Sequence, residues 1–265
     1  MSTNPTPTKN IVDGTDEIIR DAINELTHGH EWFWTKTTMD EISNISPPES
    51  KFEALIDLLW EKIETNWRLA GERGGGDRNW RWAPQLYIDH EENESPETKL
   101  EKGLAGVLPK EHWTNQVPTA SGLISSNSDR KRNIDLAHWD GAETVTLIEL
   151  KIASDTPIYA AFEIIRNALL LCLSRVHPEQ IKAVDPRWRR ASRAHLRVVA
   201  PASFYEESGR CRSLAWFEIE LDRAIATFGE KLPEHARISI DFGFRIFDLP
   251  EVLLNAIESA RAFPA

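Results

Sequence analysis

Asn133–Trp139 reads NIDLAHW, Asp140–Glu143 reads DGAE, and Thr144–Ile152 reads TVTLIELKI. Two runs rich in apolar and β-branched residues flank an Asp-Gly turn, which predicts a β-hairpin. Side chains alternate along a strand, so Val145, Leu147, Glu149 and Lys151 share one face. Thr144, Thr146, Ile148, Leu150 and Ile152 line the other. If Gly141-Ala142-Glu143 is a three-residue loop, Asp140 pairs with Thr144, and counting back places Asp135 opposite Glu149.

Outward from the hairpin the element order becomes legible. Before it, Glu97–Leu108 is a short helix with Leu100, Leu104 and Leu108 in one row, and Gln116–Ile124 suits a strand. After it come an apolar helix over Pro157–Arg175, a strand over Ala194–Phe204 and an amphipathic helix over Ser213–Lys231. An alternating strand over Ala236–Phe247 and a last helix over Pro250–Ala262 follow. The order α–β–β–β–α–β–α–β–α predicts an α/β domain over residues 95–265, with a mixed β-sheet flanked by helices. Upstream, residues 1–12 read as a flexible tail and residues 13–94 as an acidic, mainly helical N-terminal region. In that region Thr15-Asp16-Glu17 opens a helix bearing Ile18, Ile19, Ala22, Ile23 and Leu26. A second helix carries Phe52, Leu55, Ile56, Leu59, Ile63 and Trp67 on one face and ends near Gly71. Gly74–Gly76 reads as a flexible joint, and Asn79–Ile88, interrupted by Pro84, as an edge or loop.

Composition narrows the classes. The chain has 265 residues, 41% apolar and 28% charged, the balance of an ordinary globular protein. That excludes a disordered chain and a collagen-like fibre, and two cysteines, Cys172 and Cys211, are too few for a disulfide scaffold. The longest apolar run, Ala168–Leu173, falls far short of the ~20 residues of a membrane helix. The polar start MSTNPTPTKN has no signal-peptide core, so a cytoplasmic location without membrane contact is the expectation. Net charge is −11, unevenly spread: residues 1–94 hold 9 Lys+Arg against 19 Asp+Glu, and residues 95–265 hold 22 against 23. An acidic helical front of this kind suits a homodimer contact or a protein partner. Arg175–Arg197 carries seven basic residues against Glu179 and Asp185. Within it Arg187, Arg189, Arg190 and Arg193 form a candidate phosphate-contacting surface for nucleic acid, DNA in the first place. The bland reading of that stripe is a solubilising loop.

The hairpin carries the chemistry. Carboxylates directly opposed across two strands have Cβ atoms ~4.5–5.5 Å apart and repel unless positive charge lies between them. A divalent ion supplies it, and Mg2+ (or Mn2+) prefers hard oxygen ligands and keeps several waters. Lys151 projects from the same face as Glu149, where it can assist an attacking water or stabilise charge developing on phosphate. An acid-x-Lys tripeptide alone is weak evidence, since four occur in the chain. Only Glu149-Leu150-Lys151 sits in an apolar strand with a second acid across a turn.

Ile134-Asp135, thirteen intervening residues and then Glu149-Leu150-Lys151, within an α–β–β–β–α–β order over roughly 96–205, resemble the PD-(D/E)xK nuclease superfamily. Ile134 stands where the motif name has proline. The resemblance implies a restriction-endonuclease-like fold and a Mg2+-dependent nuclease that hydrolyses phosphodiester bonds, leaving 5′-phosphate and 3′-hydroxyl ends. It implies that Asp135 and Glu149 bind the metal and that Lys151 assists the attacking water. Glu101 is the best match for a metal-binding acid on the preceding helix, with Glu97 second. Glu163, in YAAFEIIRN, fits a polar catalytic position on the following helix.

Each assignment has a structural alternative. Asp135, Glu149 and Lys151 could form an ion-pair cluster on a solvated sheet face, Glu101 could be a surface acid, and Glu163 could pair with Arg166. The functional alternative is a catalytically silent or accessory binding protein on the same fold. THGHE (Thr27–Glu31) reads as a helix end with surface histidines, and Trp80 and Trp82 as core residues more than as base-stacking platforms.

Overall fold

The computed structural model describes residues 9–27, 41–42, 51–85, 96–125, 132–152, 155–182, 185–206 and 214–247. The last helix expected from the sequence, Pro250–Ala262, lies outside these residues, as do residues 86–95, where the boundary was expected. Helices α1 (Thr15–Asn24) and α2 (Lys51–Leu69) precede α3 (Pro96–Val107). Strands β1 (Trp113–Pro118), β2 (Asn133–Trp139) and β3 (Thr144–Leu150) lead into the long α4 (Pro157–Val176). A short α5 (Arg187–Arg190), β4 (Arg193–Ala200), α6 (Ala202–Glu206), α7 (Ala215–Lys231), a 3-10 turn (Glu234–Ala236) and β5 (Ser239–Ile246) complete the order.

The five strands form one mixed sheet in the order β1-β2-β3-β4-β5. The first three are antiparallel, and β3, β4 and β5 run parallel through the α4 and α7 crossovers. The chain is therefore α/β with a mixed sheet flanked by helices. Two strand boundaries differ from expectation. β1 begins at Trp113 rather than Gln116, because Trp113 pairs with His138, and it ends at Pro118, which has no N–H to continue a ladder. β4 stops at Ala200, since Pro201 ends the strand and Ala202–Glu206 turns helical.

The alternation of β3 sorts the layers. Val145 and Leu147 enter the main core with α4, while Ile148 and Leu150 meet Leu100, Leu136 and Leu104 beneath α3 on the other face. Thr156 caps α4 by accepting a hydrogen bond from the Tyr159 N–H (3.3 Å), and Pro157 follows it in the first turn. By length and composition α4 could cross a membrane, but here it is buried among strands and helices.

Helices α1 and α2 are built into the same core as the sheet. Ile19, Ile23, Phe52, Leu55, Ile63 and Trp67 join it. Phe52 meets Phe217 edge-on at 5.3 Å, and Trp60 lies 5.3 Å from Phe228. Trp80 is fully buried 5.3 Å from Trp188, which removes it from any surface role. Gly74–Gly76 is a packed wall rather than a joint. A Cβ at Gly74 would lie 2.4 Å from the Gln180 carbonyl, and the Gly76 N–H donates to Ser121 O at 2.5 Å.

Candidate active site

The β2–β3 ladder pairs Leu136 with Ile148 and His138 with Thr146, which is the register counted from the turn. Asp140 closes that turn: its Oδ1 accepts the N–H groups of Ala142, Glu143 and Thr144 at 2.8–3.0 Å. One step beyond Leu136 and Ile148 the strands part, with Asp135 facing Glu149. There the Asp135 carboxylate replaces a ladder carbonyl and accepts the Leu150 N–H at 2.9 Å. On the other side of β2, the β1–β2 ladder skips Gln116 and Asp135. Gln116 has a left-handed φ of 47°, a strained backbone for a side chain of its kind.

Around this opening the structure gathers five ionised or ionisable groups. Asp135 and Glu149 face each other closely enough that each carboxyl shifts the other's titration. Lys151 Nζ lies 3.1 Å from Glu149 Oε1, 2.7 Å from Glu163 Oε2 and 3.3 Å from Asp155 Oδ2. Glu163, whose expected rival partner was Arg166, is thus bound to Lys151. Arg166 turns instead to Asp16 (2.5 Å) and Thr15 (3.3 Å) on α1.

Burial dominates the electrostatics. Glu149, Lys151 and Glu101 are 5%, 7% and 3% exposed. Burial raises Asp135 to about 6, against the Leu150 N–H and Lys151, which favour the ionised form. It raises Glu149 well above the usual carboxylate range, and the facing charges of Asp135 and Glu163 add to the effect. Burial opposes the charge on Lys151, but Glu149 and Glu163 outweigh it and lift its pKa above that of an ordinary lysine. Lys151 is therefore a protonated cross-link among three carboxyl groups.

Glu101 approaches from α3 without joining that cluster. Its Oε1 accepts the Asn115 amide and its Oε2 the Gln116 amide, each at 2.6 Å. Burial, with Asp135 adding, raises it to about 7. Glu97, one turn earlier, accepts the Ile152 N–H at 3.2 Å.

A cavity of about 140 Å3 opens beside the acids, lined among others by Asn133, Asp135, Glu149, Glu163 and Arg166. Two buried polar atoms of this lining have no hydrogen-bond partner among the described residues, Asn133 Oδ1 and Arg166 Nη2. Orphaned groups of opposite character at one cavity are what a polar ligand would satisfy. The donor set fits a hard divalent ion: a half-buried and a buried carboxyl, both with raised pKa values, and a spare amide oxygen, in space that admits waters. Among the described residues, no three acid, imidazole or thiol groups already converge as a cage.

No protein-family model matches this chain, and no curated protein or solved structure matches it significantly. The site must be read from its own geometry.

The structure brings Asp135, Glu149, Lys151 and Glu163 together and sets Glu101 close behind. It does not bring the arginine stripe to them. Arg193 pairs with Thr144 at the start of β3, five residues before Glu149 and so ~17 Å along the strand. Arg187 is bound to Asp185 at 2.8 Å and lies over the Trp82 ring, and Arg193 reaches Glu143 at 3.5 Å. The sequence reading missed Asn115, Gln116, Asn133, Asp155 and Arg166. Asp155, in the turn before α4, carries a left-handed φ of 62°. Nothing in a single sequence marks a neutral amide as a neighbour of a buried acid. Only Arg166, a cation inside the apolar run of α4, carried a signal.

Proposed function

We propose that this chain is a Mg2+-dependent nuclease, with Mn2+ as a substitute ion, that hydrolyses phosphodiester bonds in DNA on a restriction-endonuclease-like fold. The observation that carries the reading is the facing pair of half-buried Asp135 and buried Glu149, with the Lys151 ammonium 3.1 Å from Glu149 at the edge of a polar cavity. Asp135 and Glu149 would hold the ion, with Glu101 behind them, and the bound ion supplies positive charge at the scissile phosphate.

The protein groups supply the rest. In hydrolysis water adds to phosphorus, the bond from phosphorus to the 3′ oxygen breaks, and the proton lost by water is balanced by one gained at the leaving oxygen. Lys151 is held protonated, so it donates hydrogen bonds to charge developing on the phosphate oxygens. Glu163 and Asp155 fix the direction in which it does so. Arg166, with Nη2 unpartnered, offers a second donor from the cavity wall.

The full-length protein is to be incubated with linear, circular and single-stranded DNA and with RNA, in Mg2+, Mn2+ and EDTA. Metal-dependent cleavage is expected, falling ~100-fold or more in each of Asp135→Asn, Glu149→Gln and Lys151→Ala. Wild-type rates in all three variants would remove the site. The cross-linking of three carboxyl groups by Lys151 favours a second reading, a catalytically silent binding protein on the same fold. Folded wild-type protein that cleaves none of these substrates with either ion would establish that reading.

A further inference from the structure

Beside the acid cavity runs a larger groove of about 1150 Å3, above the ~300–1,000 Å3 of small-molecule sites. One wall is the glycine-rich loop after α2, with Arg73, Gly75, Gly76 and Arg78, and the other is α3, with Thr98 and Lys102. Arg81 also lines it. Gln116 and Asn133 line both the groove and the acid cavity, so the two spaces adjoin at the strained β1–β2 opening.

The charge of this groove is opposite to that of the chain. Among the described residues, Arg73, Arg78, Arg81 and Lys102 line it with Asp77 as the one acid, in a protein of net charge −11. Arg73 and Arg78 are exposed, and no ion pair engages either among the described residues. On the expected stripe Arg187 is paired with Asp185 and Arg193 with Glu143, while Arg189 and Arg190 are exposed with no ion pair among the described residues; what sets the groove apart is its place beside the acid cavity. Helix α3 divides its faces accordingly. Glu97 and Glu101, four apart, turn to the acid site, while Thr98 and Lys102, one position on, turn to the groove.

The glycine wall is rigid. Gly75 and Gly122 have φ of 81° and 77°, and a Cβ on Gly122 would lie 3.2 Å from the Gly76 nitrogen. The two loops pack backbone to backbone, and the Trp67 indole N–H donates to Arg73 O at 2.7 Å, which together hold the Arg73 and Arg78 positions. Arg81 is anchored by donating to Gln116 O at 2.5 Å and to Ala83 O. That ties the groove to the residue whose amide holds Glu101.

We propose that this groove, and not the Arg187–Arg193 stripe, binds the phosphate backbone of a nucleic-acid strand and leads it to the Asp135–Glu149 pair. The inference rests on the nuclease reading for its destination, but its binding chemistry stands without hydrolysis. Cations on both walls match an extended polyanion, and the neutral amides Gln85, Gln116 and Asn133 along the floor and rim suit polar contacts to sugar and base.

The test measures binding in EDTA and cleavage in Mg2+ on the same full-length proteins. Fluorescent duplex DNA, single-stranded DNA and RNA are titrated from 50 to 200 mM salt against wild type, Arg73→Ala/Arg78→Ala, and the quadruple alanine variant of Arg187, Arg189, Arg190 and Arg193. Both groove residues are exposed, so the double variant is expected to melt as wild type does. Each lost phosphate contact lowers the log–log salt slope by ~0.9 on duplex and ~0.7 on single strands. The double variant should therefore lose ~1.8 or ~1.4, more than the quadruple variant despite removing fewer charges. A larger loss in the quadruple variant would overturn the groove and leave the nuclease reading intact. Groove-dependent binding with no cleavage by wild type would uphold the groove and overturn the nuclease reading. No binding of any of the three polymers would overturn the groove outright.

Discussion

Asp135 is held where an ionised carboxylate is costly, and the cost is specific to its charge. An asparagine there keeps an oxygen for the Leu150 N–H and gains an amide that can donate to Glu149, turning an acid–acid contact into a satisfied one. Asp135→Asn is therefore expected to equal or exceed wild type in melting temperature at pH 8 in EDTA, the trade-off of a strained functional site. With an ion Kd of about 1 mM, ~10 mM Mg2+ stabilises wild type by about 1.4 kcal/mol, or ~3–5 °C. The variant should lose that shift. Thermal melts in EDTA and Mg2+ check both points, and a variant that is less stable yet keeps the full shift contradicts them. Glu101 has its own signature. Its folded pKa of about 7 lies above the ordinary 4.5, so the folded state binds that proton more tightly than the unfolded chain. The stabilisation is complete below about pH 4.5 and is lost as pH rises through 7, on the order of 3 kcal/mol at most. Urea unfolding of wild type should show stability falling between pH 5 and 8, and Glu101→Gln should flatten that fall. An unchanged slope in the variant would assign it to other groups, the histidines among them.

At the scale of elements, close backbone approach sets positions that side-chain patterns do not reveal. Gly229 lies in α7 where a Cβ would sit 2.3 Å from the Ile238 carbonyl and 3.2 Å from Ile240 Cγ1. Replacing a helical glycine by alanine ordinarily stabilises by ~1 kcal/mol. Here Gly229→Ala must push α7 off β5, so the sign reverses and a loss of ~1–3 kcal/mol is expected. Chemical denaturation decides between the two signs. The same distinction explains what was legible in the sequence. The hairpin register followed from alternation and the Asp-Gly turn, which are local, and with it came the opposition of Asp135 and Glu149. Helix α4 announced itself through its apolar run from Pro157, and the Thr156 cap is what the structure adds. The φ of Gln116 is set by β1 meeting β2 and α3 together, and the Gly74–Gly76 wall exists only because Gln180 and residues 121–122 come back against it. Glycines written as a joint were a contact surface, since composition does not record what lies opposite.

For the whole molecule, the acidic N-terminal helices and the sheet are one folding unit, and the site depends on that union. Ile19, Ile23, Phe52, Leu55, Ile56, Leu59, Ile63 and Trp67 are all 3% exposed or less, packed on α4 and α7. At ~1.5–3 kcal/mol for each large apolar side chain withdrawn from water, their gross contribution is about as large as, or larger than, the 5–15 kcal/mol net stability of a typical domain. Arg166 adds an electrostatic link. It is 3% exposed, it pairs with Asp16 on α1, and it lines the cavity beside Glu149 and Glu163. Without α1 a buried guanidinium would face that cavity with its ion pair removed, a change worth several kcal/mol. A fragment of residues 95–265, which carries every proposed catalytic group, is therefore expected not to fold into a native unit. It should lack a cooperative melt, bind a hydrophobic dye and show no metal-dependent thermal shift, whereas the full chain unfolds in one transition that includes α1 and α2. Asp16→Ala in the full chain is the milder version: it should lower stability by ~1–3 kcal/mol through Arg166 while leaving the N-terminal packing in place. A cooperative melt of the fragment, with dispersed amide resonances, would show instead that the sheet and α4 close their core alone. The helical front would then be an attachment rather than part of the fold.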